Sequence, residues 1–157
     1  MKTLIKMASS GLYAGYSPFA SGTVGSAWSV LIFLQLERYP GIYLVVVGLL
    51  FLLGFLVCSP AEEIFGRKDS RRIVIDEIAS LCLVYLFIKP TWLMLGAGFV
   101  LFRFFDIIKP PPARRIQALQ GARGVMLDDV VAALYTVVCL SAISFIQRAG
   151  ILQALCR

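Results

Sequence analysis

Five carboxylates, Asp76, Glu77, Asp106, Asp128 and Asp129, stand at or near the ends of apolar stretches. Carboxylates beside hydrocarbon are costly unless paired, protonated or bound to a cation. These come from three separate stretches of a chain that has no histidine. A Ser-His-Asp triad, a phosphohistidine and a His-based zinc site are therefore excluded. What remains is chemistry by carboxylates, Lys, Arg, hydroxyls, backbone groups or a hard cation. An all-oxygen set suits magnesium, with a substrate phosphate supplying further ligands. Each acid also has a plainer reading. Asp128 and Asp129 suit a helix N-terminus through its dipole, and Asp106 suits an ion pair with Arg103 or Lys109.

Arg103, Asp106 and Lys109 are spaced by three, so one helix face projects all of them. Arg clamps phosphate with two parallel bonds and Lys adds a point charge, while Asp106 is a metal ligand or a base. The run Ser17 to Ser26, SPFASGTVGS, is small enough for backbone N–H groups to approach an anion at a helix start, which makes Thr23 and Ser26 candidate substrate contacts. The alternative there is an N-cap by Thr23 or Ser26, with glycines for close helix packing. Gly121 to Asp129 reads as a substrate loop or a plain connector before a last apolar stretch. Cys58 and Arg67 are too far apart for a cysteine-phosphatase loop. The four cysteines, Cys58, Cys82, Cys139 and Cys156, lack CxxC spacing and read as packing residues.

The elements that must carry these groups are apolar. Of 157 residues, 59% are hydrophobic and 15% charged, with a mean hydropathy of +0.85, against roughly 45–50% and 25% in soluble domains. One domain, 1–157, is expected, all-α: a compact polytopic membrane bundle of about four to five membrane helices with short interfacial helices. The apolar stretches run 25–36, 41–58, 73–88, 91–108 and 130–146. Ser59, Pro60 and Glu62 fit a capping box that opens a short surface helix. Lys89-Pro90 reads as a tight turn, and Pro110, Pro111 and Pro112 stop the fourth helix. The N-terminal segment, with Lys2 and Lys6, is a poor signal peptide and reads as an interfacial helix.

Threaded alternately through a bilayer, the chain puts Lys2, Lys6, Arg67, Lys68, Arg71, Arg72, Arg103, Lys109, Arg114, Arg115 and Arg123 on one side. Arg38, Lys89, Arg148 and Arg157 fall on the other. The first side is then cytoplasmic. The net charge of +6 reads as membrane flanks facing anionic lipid and not as a nucleic-acid surface. All the acids except Glu37 fall on the same side, which the orientation rule does not require.

Four segments in order, GYSPFASGTVGS, DSRRIVIDE, FRFFDIIKPPP and QGARGVMLDD, together resemble the bacterial phosphatidylglycerophosphatase A family from about Tyr16 to Ala133. The resemblance implies a magnesium-dependent phosphatase of the bacterial inner membrane that converts phosphatidylglycerol phosphate to phosphatidylglycerol. It carries the family's polar positions onto Thr23, Asp69, Asp76, Glu77, Arg103, Asp106, Lys109, Asp128 and Asp129. Departures from the family pattern fall at Ser21, Ser80 and Gln120-Gly121-Ala122 and bear on loop shape and substrate preference.

The expected site therefore has Asp76, Glu77, Asp106 and Asp129 as catalytic groups. Thr23, Ser26, Arg103 and Lys109 bind substrate, and Mg2+ sits among Asp76, Glu77, Asp106, Asp128 and Asp129. Direct attack by water and an aspartyl-phosphate intermediate both fit the sequence. The rival readings are a metal-dependent membrane phosphatidyltransferase and a non-enzymatic transporter or scaffold. Partners are a phospholipid substrate and the bilayer, and oligomeric state is left open.

Overall fold

The computed structural model describes residues 1–88 and 91–148; the expected turn at Lys89-Pro90, Cys156 and Arg157 lie outside them. Among the described residues the chain is all helical: α1 (Lys2–Ser9), α2 (Ser21–Leu36), α3 (Pro40–Phe65), α4 (Ile75–Tyr85), α5 (Trp92–Ile108), α6 (Ala113–Gln117) and α7 (Ala122–Arg148). The five longer helices alternate in direction. The start of α2, the end of α3, the start of α4, the end of α5 and the start of α7 thus meet at one end of the bundle.

Helix α4 is the axis of the molecule. It packs against α2, α3, α5 and α7, and only Glu77 and Leu83 along it are less than fully buried. At about 1.5 Å per residue it is about 16 Å long, half of a hydrocarbon core of roughly 30 Å. The third apolar stretch is therefore an enclosed core helix and not a span. Two helical segments, Pro40–Phe65 and Ala122–Gln147, are long and apolar enough to cross a membrane, where four to five were expected. Only 28% of the apolar window of each is buried. Leu44, Leu52 and Leu56 on α3, Val100 and Phe104 on α5, and Leu134 and Val138 on α7 face outward. A water-soluble domain rarely leaves so many large apolar side chains exposed.

Two boundaries differ from the sequence reading. Helix α3 continues through Pro60, where a separate surface helix was expected to begin. Pro60 forfeits its bond to the carbonyl of Leu56, yet Ala61 is fully buried and keeps the last turns docked. The Ser59 hydroxyl does not cap its own helix; it accepts the Ala122 N–H at 2.8 Å, one of the unsatisfied donors at the start of α7. That helix begins at Ala122 and not near Val130. Residues 122–129 are thus helical and form no substrate loop, and Asp128 and Asp129 sit in the second turn and not at the tip. Gly124 belongs to the helix because a Cβ there would meet the Leu119 carbonyl oxygen at 2.3 Å.

Thr91, the first residue of the fourth apolar stretch, caps α5 by accepting the Met94 N–H at 3.2 Å. The stop expected at the prolines is present. Helix α5 ends before the prolines, with Lys109 in the left-handed region at φ 48°. Cys58, Cys82 and Cys139 are free thiols, the first two fully buried. Ser59→Ala is expected to lower stability by about 1 kcal/mol, the usual cost of a lost cap. Denaturant unfolding in detergent would measure it, and an unchanged midpoint would show the Ser59–Ala122 bond to be idle.

Candidate active site

A cleft of about 780 Å3 opens where the helix ends meet. Its floor comes from α4 (Asp76, Glu77), α5 (Arg103, Asp106), the residue just past α5 (Lys109) and α7 (Asp129), and Asp69 and Gln117 close one side. Arg103 Nη1 lies 2.9 Å from Glu77 Oε1 and 2.8 Å from Asp106 Oδ2, so one guanidinium ties α4 to α5. Lys109 Nζ donates to Asp128 Oδ2 and stands 4.0 Å from both Asp69 Oδ2 and Asp106 Oδ1. Asp128 Oδ1 accepts the Asp129 N–H at 3.0 Å. Asp69 accepts from Gln117 Nε2, and its own N–H donates to Glu62 Oε1 at 2.6 Å.

Glycine makes this proximity attainable. A Cβ on Gly22 would lie 2.1 Å from Glu77 Oε1, and one on Gly25 would lie 2.7 Å from the Val74 Cβ. The first turn of α2 can approach α4 only because these positions carry no side chain.

Burial works on the charges. It pushes Asp76 well above the ordinary aspartate value, aided by the nearby charges of Glu77, Asp69 and Asp128. It also lifts Glu77 to about 7, against the pull of Arg103. Burial disfavours the Lys109 ammonium, but the hydrogen bond and charge of Asp128 outweigh it and its pKa is raised. Asp76 Oδ1, Glu77 Oε2 and Asp129 Oδ2 are buried without a hydrogen-bond partner. Unsatisfied buried carboxylate oxygens are expensive and are the donor type that a hard cation takes. Among the described residues no three His, Cys, Asp or Glu side chains close on one point as a ready metal cage. Asp128 is turned to Lys109 and Asp106 to Arg103. Magnesium is commonly held by one or two carboxylates plus water and phosphate, so the free oxygens suit it without a cage.

The profile of the phosphatidylglycerophosphatase A family matches residues 7–144. The chain belongs to that family. It is 38% identical to the phosphatidylglycerophosphatase A of Haemophilus influenzae over 80% of each chain. It is 33% identical to that of Escherichia coli over 91% of this chain and 85% of the relative. A Bacteroides thetaiotaomicron protein provisionally named a phosphatidylinositol-3-phosphatase is 30% identical over 83% of this chain and 87% of its own. No solved structure matches. Membership in the family makes the chain a phosphatase that associates with membranes.

Of the residues singled out from sequence, Asp76, Glu77, Arg103, Asp106, Lys109 and Asp129 line the one cleft. Asp128 lies behind it, with both oxygens engaged. Thr23 is exposed and does not line it. Ser26 is fully buried with its hydroxyl unpartnered, also off the cleft wall. In the SPFASGTVGS segment it is Ser17, Pro18, Ala20, Ser21 and Gly22 that reach the cleft. The carboxylate of Asp69 was signalled only by the family resemblance, and Gln117 by nothing in the sequence. Arg67, Arg71 and Arg72, which read as lipid flanks, line the cleft.

Gly22→Ala is expected to displace the Glu77 carboxylate and cut phosphate release at least about 10-fold, the effect of small misplacements in an active site. Gly48→Ala, where a Cβ meets nothing within 4 Å, is the matched control. Equal activity of the two variants would remove Gly22 from the account of the site.

Proposed function

We propose that the protein is a magnesium-dependent lipid phosphatase that hydrolyses phosphatidylglycerol phosphate to phosphatidylglycerol and inorganic phosphate at the cytoplasmic face of a bacterial inner membrane. The observation that carries this reading is the gathering of acids from α4, α5 and α7, with Arg103 and Lys109, around one cleft at the end of an apolar-girdled bundle. The substrate is drawn from the named relatives. A multi-pass topology through α3 and α7, with the cleft end inside, fits the basic residues gathered at that end.

Glu77, Asp106 and one of Asp76 and Asp129 would hold magnesium, and Asp128 would steady Lys109 beside them. Bound there, the ion would supply charge neutralisation of the phosphoryl group and Lewis acidity toward water. Arg103 and Lys109 hold the terminal phosphate and stabilise charge on its equatorial oxygens in the transition state. A carboxylate outside any ion pair, Asp76 or Asp129, takes the proton as water attacks phosphorus. The P–O bond to the glycerol carbon chain breaks, and the departing oxygen takes a proton to become the free hydroxyl of phosphatidylglycerol. The phosphatidyltransferase reading requires a second alcohol substrate, and a transporter would place its acids at mid-membrane and not at one end of the bundle.

Phosphate release from phosphatidylglycerol phosphate in mixed micelles tests the reading. Wild type is expected to be active with magnesium and silent with a chelator. Asp76→Asn and Asp129→Asn are expected to lose about 100-fold or more while remaining folded by circular dichroism. Full activity in chelator, or in both variants, would overturn the assignment. Magnesium binding should also expel protons, because burial keeps Glu77 and Asp76 protonated to higher pH than free carboxyls. A magnesium titration in weakly buffered dye at pH 7 would record acidification, and none is expected from Asp76→Asn/Glu77→Gln.

A further inference from the structure

The cleft has two electrostatic halves. Its floor carries Asp76, Glu77, Asp106 and Asp129, with Arg103 and Lys109 paired to carboxylates there while remaining on the cleft lining, and Asp69 stands at one side. Its rim carries Arg67, Arg71 and Arg72, none of which enters an ion pair among the described residues. An unpaired arginine normally sweeps through solvent, but Arg72 here is restrained. The Arg72 guanidinium lies 5.1 Å from the Tyr16 ring centroid and 5.7 Å from that of Phe65. This contact holds its plane without neutralising its charge.

The backbone beneath is pinned as well. Ser21 Oγ donates to the Arg71 carbonyl at 2.8 Å, and the Val74 N–H donates to the Ser9 carbonyl at 2.9 Å. Gly15 packs so closely that a Cβ on it would meet the Arg72 carbonyl oxygen at 2.2 Å. The end of α1, the start of α2 and the connector between them thus hold the backbone of residues 71–74, from which Arg71 and Arg72 reach the same cleft as the acids.

We propose that Arg71 and Arg72 form a second anion subsite that binds the phosphodiester of the lipid while its terminal monoester sits on the floor, making the enzyme selective for lipids with two phosphates. This rests on the lipid-phosphatase reading of the same cleft. A metal-charged floor suits a phosphate monoester, and a stacked arginine suits a diester through parallel N–H···O bonds. A volume of about 780 Å3 accommodates a glycerol bearing phosphate at both ends, within the roughly 300–1,000 Å3 usual for small-molecule sites.

The test compares wild type with Arg72→Gln, Arg71→Gln and Arg72→Lys, using phosphatidylglycerol phosphate in neutral-detergent micelles. Phosphatidylglycerol, which retains only the diester, serves as a probe of the rim, and inorganic phosphate as a probe of the floor. Each glutamine variant is expected to raise KM and weaken inhibition by phosphatidylglycerol about 10-fold, the effect of a lost charge-assisted bond. Inhibition by inorganic phosphate and kcat should stay close to wild type, and Arg72→Lys should fall between. Repetition with added anionic lipid separates a subsite from general attraction to the membrane: a defect seen only in anionic micelles overturns the proposal. Equal losses for both inhibitors, or no loss for either, also overturn it. A wild type that releases no phosphate overturns the functional reading and this inference with it, whereas an active wild type with unselective variants overturns the inference alone.

Discussion

Burying negative charge at the end of an apolar bundle is the constraint to which the rest of the molecule responds. Asp76, Asp106, Asp128 and Asp129 are all at least nine-tenths buried, and Glu77 stands beside them. Isolated charges in such surroundings would cost several kcal/mol each. Arg103 offsets part of that by bridging two acids on different helices, and Lys109 by serving Asp128. The remainder persists as raised proton affinity and as oxygens without partners. A fold concerned only with stability would have filled these positions with apolar side chains. That imbalance is what the proposed cation and phosphate would relieve.

Holding that imbalance takes a scaffold with little freedom. Helix α4 is enclosed by four neighbours, so the backbone that carries Asp76 and Glu77 to the cleft is held in place. Gly22 gives α2 its close approach to Glu77. Asp69 and Lys109, which face each other across the cleft, both occupy the left-handed region at φ 48°. Non-glycine residues rarely adopt that conformation, and its cost is met by the surrounding contacts.

The acids were legible in the sequence because their cost beside hydrocarbon is high wherever the chain folds, and Arg103-Asp106-Lys109 because a spacing of three admits little else on a helix. The all-helical architecture followed from the same apolar runs. The number of spans was not legible. A stretch such as 73–88 reads alike whether lipid or protein surrounds it, and only the packing of α2, α3, α5 and α7 on α4 decides. The start of α7 was hidden because Gly121 and Gly124 look like a loop, while the contact that starts the helix comes from Ser59 on α3. Thr23 stands out in the sequence because a helix start rich in small residues suits an anion and because the family resemblance carries a polar position there; in the structure it is exposed and off the cleft lining. The arginines of the DSRR segment read as lipid-facing flanks because nothing local shows Tyr16 and Phe65 converging on Arg72.

The position of Asp128 and Asp129 in the second turn of α7 governs traffic. Acids at a helix tip would be wetted from many directions, and ions and water could come and go freely. One turn deeper, where Met126 and Ala132 are also buried, Asp129 is reached through the cleft and Asp128 lies behind it. On the proposed phosphatase reading, reactant water and departing orthophosphate would pass through that cleft, and the anion would leave past Arg67, Arg71 and Arg72 on its wall. Such a vestibule trades speed of exit for control of entry, and it makes turnover sensitive to how tightly the doorway grips what has already been cut.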